Sequence, residues 1–355
     1  MAMTPVSELK PGTRLHNDVF TEKGNLLLPK GKMLLPRDLE VLQAFLIDAI
    51  NNDKPAPPAA ADTPLILEAP KVSRPERVSF EQAYSSMVHM IKQCFQSALA
   101  QDIPVYKLRT GLEQLISHSR HYNILTFYPA QMKQEEYIYH NALLTSLTSY
   151  RIAKWMGVPE NEGMQVALAG LFHDIGNIRV DPDILYKPSR LEPSELEEMR
   201  RHTLYGYEIL KKVTGINEGV RLAALQHHEK VDGSGYPLRL DHTRIHAYAR
   251  IVAVADIFHA MTLSKNYRKA QSPYLVLEQL ETESFGKLDP AVVTTFIRKV
   301  TQFHNGTSVR LSNGAIGKIV FSDRDHPTRP MVAVNETIYN LIENRKLHIQ
   351  SVLQY

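Results

Sequence analysis

Cysteine is almost absent. The 355 residues include one, Cys94, so there is no internal disulfide, and with no CxxC pair a thiolate zinc ribbon is excluded. Long apolar runs are missing too. Stretches such as residues 251–261 (IVAVADIFHAM) are short and broken by Asp or His, too short for the roughly 20 residues that a transmembrane helix needs. The opening MAMTPVSELKPGTRLHND has no apolar core of a signal peptide. Charge of one sign is also lacking: 41 Lys and Arg stand against 38 Asp and Glu, a net +3. That balance argues against a DNA or RNA polymer as partner and against an acidic disordered tail. The expectation is a cytoplasmic protein without membrane insertion.

What is present is ordinary globular composition, 43% hydrophobic and 22% charged, with room for two or three domains. Residues 6–35 alternate short apolar runs with Pro-Gly, Lys-Gly and Asn turn signals, and Leu39–Ile50 has helical spacing, so 1–50 reads as a small β-rich unit. Six prolines and five alanines between Asn51 and Pro75 make 51–78 a semi-extended linker. From 79 to 303 apolar residues recur at i, i+3, i+4 and i+7, as in FEQAYSSMVHMIKQCFQSALA, GLEQLISHSRHYNIL and EEYIYHNALLTSLTSYRIAKWMG. Residues 304–355 return to strand-length runs punctuated by Ser-Asn-Gly. The expected fold is mainly α, an all-helical core with small β-rich N-terminal and C-terminal units. The apolar stripes of 79–130 suggest a homodimer.

Eight of the 15 histidines fall between positions 140 and 259, and their placement is more informative than their number. His173 and Asp174 end one helix, with Gly176 as a terminator. His202 lies on the next, with Glu198 and Tyr205 near it. His227, His228, Glu229 and Asp232 then precede a Gly-Ser-Gly-Tyr-Pro turn. Adjacent helical histidines point about 100° apart, so a pair suits two metals or the two sides of a bridging group. Asp256 sits in an apolar helix, where a carboxylate costs several kcal/mol unless paired, protonated or metal-bound. Singly, each has a bland reading as a hydrogen-bonded pair or a cap. Jointly they form an ordered set of nitrogen and carboxylate donors suited to a di- or trinuclear site for Fe, Mn or another divalent ion.

These motifs resemble those of the HD-GYP family of metal-dependent phosphohydrolases: HDIGN at 173–177, MRRHTLYG at 199–206, HHEKVDGSGYP at 227–237 and ARIVAVADIFHAMTLSKNYRKA at 249–270. The resemblance runs from Glu135 to Ala270. It implies an all-α domain that hydrolyses cyclic di-GMP or a related cyclic dinucleotide. It also implies two or three divalent ions, Fe or Mn, held by His173, Asp174, His202, His227, His228 and Asp256. Metals roughly 3.5–4 Å apart can share a hydroxide and stabilise in-line displacement. Asp174 and the residue at 177 fall at catalytic positions, and Gly235, Tyr236 and Pro237 form a substrate lip.

The departures from the family pattern are specific. Asn177 replaces a usual Lys, which weakens transition-state charge stabilisation. Asn141 stands at the family's first ligand histidine, one residue from His140; Glu136 and His140, i and i+4 on one helix face, become a metal pair if the register shifts. His259 replaces a common second Asp, and Lys265 a usual Arg. Arg268 remains, and with Lys265 it could meet the phosphates; Lys187 matches a family lysine near the mouth. These changes leave open a receptor that binds a cyclic dinucleotide without turnover. Another HD-type nucleotide phosphohydrolase is disfavoured by the GSGYP turn. The flanking β units carry no catalytic constellation and read as regulatory or oligomerising accessories.

Overall fold

The computed structural model describes residues 3–6, 9–20, 26–35, 38–39, 42, 47, 49–51, 74–118, 122–129, 132–264, 270–302 and 306–353. The chain divides into two compact units, Met1–Ala69 and Pro70–Tyr355.

In the first unit β1 (Met3–Pro5) pairs antiparallel with β4 (Ala49–Asn51), and β2 (Val19–Phe20) with β3 (Leu26–Leu28). Leu15, Val19, Leu28, Leu34 and Leu42 are among the residues of a small apolar core. Asp38, itself buried, accepts from Lys32 Nζ at 2.6 Å and from the Leu35 amide at 2.9 Å. The helix expected over Leu39–Ile50 is corrected at its end, because residues 49–51 are strand β4. Residues 40–41, 43–46 and 48 lie outside the described set.

The second unit is helical: α1 (Arg74–Ser97), α2 (Val105–Ser117), α3 (Tyr137–Trp155), α4 (Glu160–Phe172), α5 (Pro182–Leu185), α6 (Pro193–Arg200), α7 (His202–Lys211), α8 (Glu218–Gln226), α9 (Ala247–Thr262), α10 (Pro273–Glu283) and α11 (Pro290–Val300). Helix α1 starts inside the stretch expected to be linker; residues 52–73 of that stretch lie outside the described set. The starts follow local chemistry. Pro193 opens α6 within a Glu192–Glu195 capping box, and Asp289 accepts from the Ala291 and Val292 amides before Pro290. The helix expected over 111–125 stops at Ser117. Asn123 Oδ1 takes the Leu125 amide at 2.9 Å, an Asx turn that competes with helix, while Tyr122, Ile124 and Leu125 are buried.

Helices α3, α4 and α9 pack together at the centre. The α3–α4 crossing is close because Gly170 has no side chain: a Cβ there would lie 2.8 Å from Ser146 Cα. Ser146 Oγ donates to Ala167 O at 2.7 Å across the same contact. The stripes of α1 (Phe80, Tyr84, Met87, Ile91) and α2 (Leu108, Leu112, Leu115) are inside this core. Among the described residues no helix is long and apolar enough to cross a membrane.

The C-terminal strands β5 (Ser308–Leu311), β6 (Ile316–Phe321), β7 (Met331–Val334), β8 (Thr337–Asn340) and β9 (Ile349–Val352) form one antiparallel sheet in the order β8-β7-β6-β5-β9. Its buried face (Val309, Leu311, Ile319, Val332, Ile349) belongs to the same core as the helices. Arg329 ties it to α10 through Glu278 at 2.6 Å, and Ser272 Oγ donates to Ile349 O at 2.6 Å. The expected 304–355 β unit therefore exists as a sheet, but not as a separate body.

A shared core predicts shared unfolding. Ile319→Ala should cost about 2–5 kcal/mol and lower the thermal midpoint seen by the single tryptophan, Trp155 in α3. Matching midpoints by Trp155 fluorescence and by far-ultraviolet circular dichroism are expected; a Trp155 transition that ignores the substitution would contradict the shared core.

Candidate metal centre and catalytic cavity

Three histidines at helix ends hold their rings in the same way. His173 follows the last residue of α4 and donates Nδ1–H to Gly170 O at 2.8 Å. His202 opens α7 and donates to Met199 O at 2.6 Å; His227 follows α8 and donates to Ala223 O and Ala224 O, both at 3.1 Å. Carbonyls only accept, so each Nδ1 carries a proton, and Nε2 is the position whose lone pair a metal or a second proton takes. Those lone pairs converge on carboxylates. His173 Nε2 lies 3.3 Å from Asp256 Oδ1 and 3.4 Å from Asp174 Oδ2, while His202 Nε2 and His227 Nε2 lie 3.3 and 3.6 Å from Asp174 Oδ1.

Imidazole nitrogens facing buried carboxylates call for positive charge between them, a proton or a metal ion. His173 Nε2 is fully buried and has no hydrogen-bond partner. Burial opposes its protonation, yet the Asp174 and Asp256 carboxylates outweigh that and hold its pKa well above the ordinary histidine value. Burial, then the charges of His227 and His202, push His228 well below that value, which leaves its ring neutral and free to act as a ligand. Burial likewise lowers His202. The site thus demands positive charge at its centre, and its nitrogen and oxygen donors fit a divalent transition metal without thiolates.

Two donor groups form, each with ligand atoms within 4.8 Å of one another: Asp174, His202, His227 and His228; and His173, Asp174 and Asp256. Asp174 belongs to both. It owes its position to Gly176, since a Cβ at 176 would collide with His202 O. The glycine expected to terminate a helix also lets the 3₁₀ turn Ile175–Arg179 press against α7, which brings Asp174 to His202.

The Gly-Ser-Gly-Tyr-Pro loop folds back over the end of α8. Gly235 has no room for a Cβ, which would strike the Lys230 N and Glu229 Cα backbone atoms. Buried Glu229 accepts the Leu238 amide at 2.6 Å and the Leu240 amide at 3.0 Å. This clamp role had no signal in the sequence, because its partners are backbone groups of the loop. Tyr236 stacks on His228 at 4.8 Å with a 25° interplanar angle. Its phenol is pushed up by burial and then by Asp174 and Asp256.

A cavity of about 340 Å³ opens above the donors, lined by Asp174, His202, His228 and Asp256. Asn141, Asn177, Tyr236 and Lys187 also line it. Asn177 Oδ1 is buried there without a partner. Pro237 lines an adjoining groove together with Tyr236.

The structure decides the register left open between His140 and Asn141. Asn141 Nδ2 donates to Asp256 Oδ1 at 2.9 Å. His140 turns away, its Nδ1 2.9 Å from the Tyr84 hydroxyl of α1, and Glu136 pairs with Lys92 at 2.8 Å. The expected Glu136–His140 metal pair is corrected on this point: neither residue joins the cluster, because the face they share packs toward α1. His259 is buried against Thr148, Nε2 to Oγ1 at 2.7 Å, and burial lowers its pKa to about 3. Lys187 reaches the mouth as expected, but both oxygens of Glu195 hold its Nζ at 2.7 Å. Lys265 and Arg268 lie outside the described residues.

Gly235→Ala should destabilise the fold, because rigid backbone rather than a flexible side chain stands where the methyl must go. Glu136→Gln, at a half-exposed pair remote from the donors, should leave bound metal content unchanged. Scanning calorimetry and plasma mass spectrometry read the two outcomes.

The HD domain family model matches residues 121–292. A cyclic di-GMP phosphodiesterase of Pseudomonas aeruginosa is 31% identical over 201 residues, covering 57% of this chain and 48% of the relative. A 3'3'-cGAMP-specific phosphodiesterase of Vibrio cholerae is 31% identical over 202 residues (57% and 46%), and a cyclic di-GMP phosphodiesterase of Thermotoga maritima is 38% identical over 152 residues (42% and 41%). The chain spans less than half the length of these curated relatives. The solved structure of an HDG"Y"P protein from Bdellovibrio bacteriovorus superposes with a TM-score of 0.50 at 13% identity, over 83% of this chain and 97% of that one, a likeness of fold. The matched span holds every one of the converging donors, and residues 121–292 are an HD domain similar to those of the cyclic dinucleotide phosphodiesterases named above.

Proposed function

We propose that the chain is a metal-dependent phosphodiesterase that opens cyclic di-GMP or a related cyclic dinucleotide to a linear product. The observation that carries this reading is the convergence of three fixed Nε2 lone pairs on two carboxylates at the floor of a cavity walled by Tyr236. Relatives named for cyclic di-GMP and 3'3'-cGAMP hydrolysis supply the substrate class. His173, Asp174 and Asp256 would hold one divalent ion, and Asp174, His202, His227 and His228 a second, with Fe or Mn as the ions. We count two positions rather than three, since Asn141 gives Asp256 an amide hydrogen and no imidazole lone pair. When bound, the ions supply the positive charge that a phosphodiester needs as its phosphorus–oxygen bond breaks, and they activate water.

The chain's own residues position and enclose. The carbonyl bonds at Nδ1 keep the donor rings from rotating, and Asn141 orients Asp256. Tyr236, stacked on His228, excludes water on one side of the cavity. Asn177 is placed to donate its amide to a phosphate oxygen, a neutral contact weaker than a cation's. Gly235 and Pro237 hold the lip that carries Tyr236, and Lys265 and Arg268 are assigned to the phosphates. A single free cysteine suits a reducing compartment, and we place the protein in the cytoplasm.

Protein loaded with Mn or Fe should convert cyclic di-GMP or 3'3'-cGAMP to a linear dinucleotide seen by chromatography. No product from either, with metal bound, would overturn the reading. Asp174→Asn should remove both ions and lower turnover by at least about 100-fold, since even outer-shell losses cost 10–100-fold; Asp256→Asn should remove one ion. The buried, unpartnered Asn177 also favours a second reading, a receptor that binds tightly without turnover. Calorimetric binding with no hydrolysis, and a gain of turnover in Asn177→Lys, would select it.

A further inference from the structure

Arg200 is the last residue of α6 and stands at the rim of the cavity. Its guanidinium lies 5.2 Å from the centre of the Tyr236 ring, the ring that stacks on His228. The neighbouring cations are neutralised: Arg201 pairs with Glu198 at 3.2 Å, Arg179 with Glu208 at 2.6 Å and Lys187 with Glu195 at 2.7 Å. Arg200 makes no ion pair among the described residues, although Glu197 lines the same groove one turn earlier. An exposed guanidinium held over an aromatic face keeps the edge of its planar fork free for a doubly accepting anion.

The size of the cavity says what that anion would be. About 340 Å³ is at the small end of the roughly 300–1,000 Å³ typical of ligand sites, and a cyclic dinucleotide carries two bases and two phosphates. Tyr236 lines both this cavity and the adjoining groove of about 560 Å³ that contains Arg200, so a substrate whose scissile phosphate reaches the donors extends past Tyr236 toward Arg200. We propose that Arg200, steadied by Tyr236, is a specificity residue that binds the second, non-scissile phosphate of the cyclic dinucleotide. This rests on the phosphodiesterase reading above. The other groove off the cavity, containing Lys187 and Arg190, has no aromatic ring in its lining and its lysine is already paired.

The test compares metal-loaded wild type, Arg200→Gln, Arg200→Lys and Arg190→Gln. Titration calorimetry reads binding of cyclic di-GMP, and steady-state kinetics reads both its cleavage and that of bis-para-nitrophenyl phosphate, which has one phosphate only. Arg200→Gln should weaken binding and raise KM about 10- to 100-fold, the scale of a lost charge-assisted hydrogen bond. Its kcat and its action on the small substrate should be unchanged. Arg200→Lys should fall between wild type and Arg200→Gln, because a point charge still serves a phosphate without the bidentate fork, and Arg190→Gln should match wild type. Arg200→Gln binding as tightly as wild type, or Arg200→Lys as weak as Arg200→Gln, would overturn this inference alone. Wild type that cleaves the small substrate but neither binds nor cleaves a cyclic dinucleotide would overturn the phosphodiesterase reading with it.

Discussion

The site depends on where three imidazole protons are held. By donating Nδ1–H to carbonyls three or four residues back, His173, His202 and His227 each turn Nε2 toward Asp174 or Asp256. Helix ends are suited to this, since their last carbonyls have no intrahelical partner and a side chain folding back can supply one. The arrangement has a cost. Carboxylates and imidazoles are buried together, and the desolvation this costs is offset only by positive charge at the centre, a proton or a metal ion. The close approaches at Gly170 and Gly176 matter for that reason, because they bring α4, the HDIGN turn and α7 near enough to force the donors together.

The second constraint is the loop after α8. Glu229 takes two loop amides and Gly235 lets the loop touch the backbone beneath it, so Tyr236 is laid on His228 instead of hanging in solvent. One ring therefore touches both His228, among the metal donors, and Arg200 at the rim. The same chain segment carries two ligands and one wall of the substrate cavity, which couples the electrostatics of the centre to the shape of its entrance.

Much of this was legible in residue order. The helical period marked the core, Pro193 marked a helix start, and the spacing of His173, Asp174, His202, His227, His228 and Asp256 marked the donors. Other features were not. Glu136 and His140 share a helix face and looked like ligands, but α1 packs against that face and supplies Lys92 and Tyr84 as partners. Lys187 matches a family lysine near the mouth, but the α6 capping box puts Glu195 beside it. The C-terminal strands read as a unit of their own, yet their apolar face is buried on the helices, a long-range contact that local periodicity cannot report.

The sequence by itself determined which atoms could serve. It supplied nitrogen and oxygen donors without thiolates, a glycine-rich lip and a neutral asparagine at 177, because donor type is a property of each side chain alone. Tertiary structure decided which of those atoms meet. Asn141 rather than His140 faces Asp256, Asp174 is common to both donor groups, and Arg200 lies over Tyr236 instead of forming an ion pair among the described residues. Rotation of a helix by one residue changes such meetings by about 100°. That rotation is set by how whole helices pack, so it is written in no single motif.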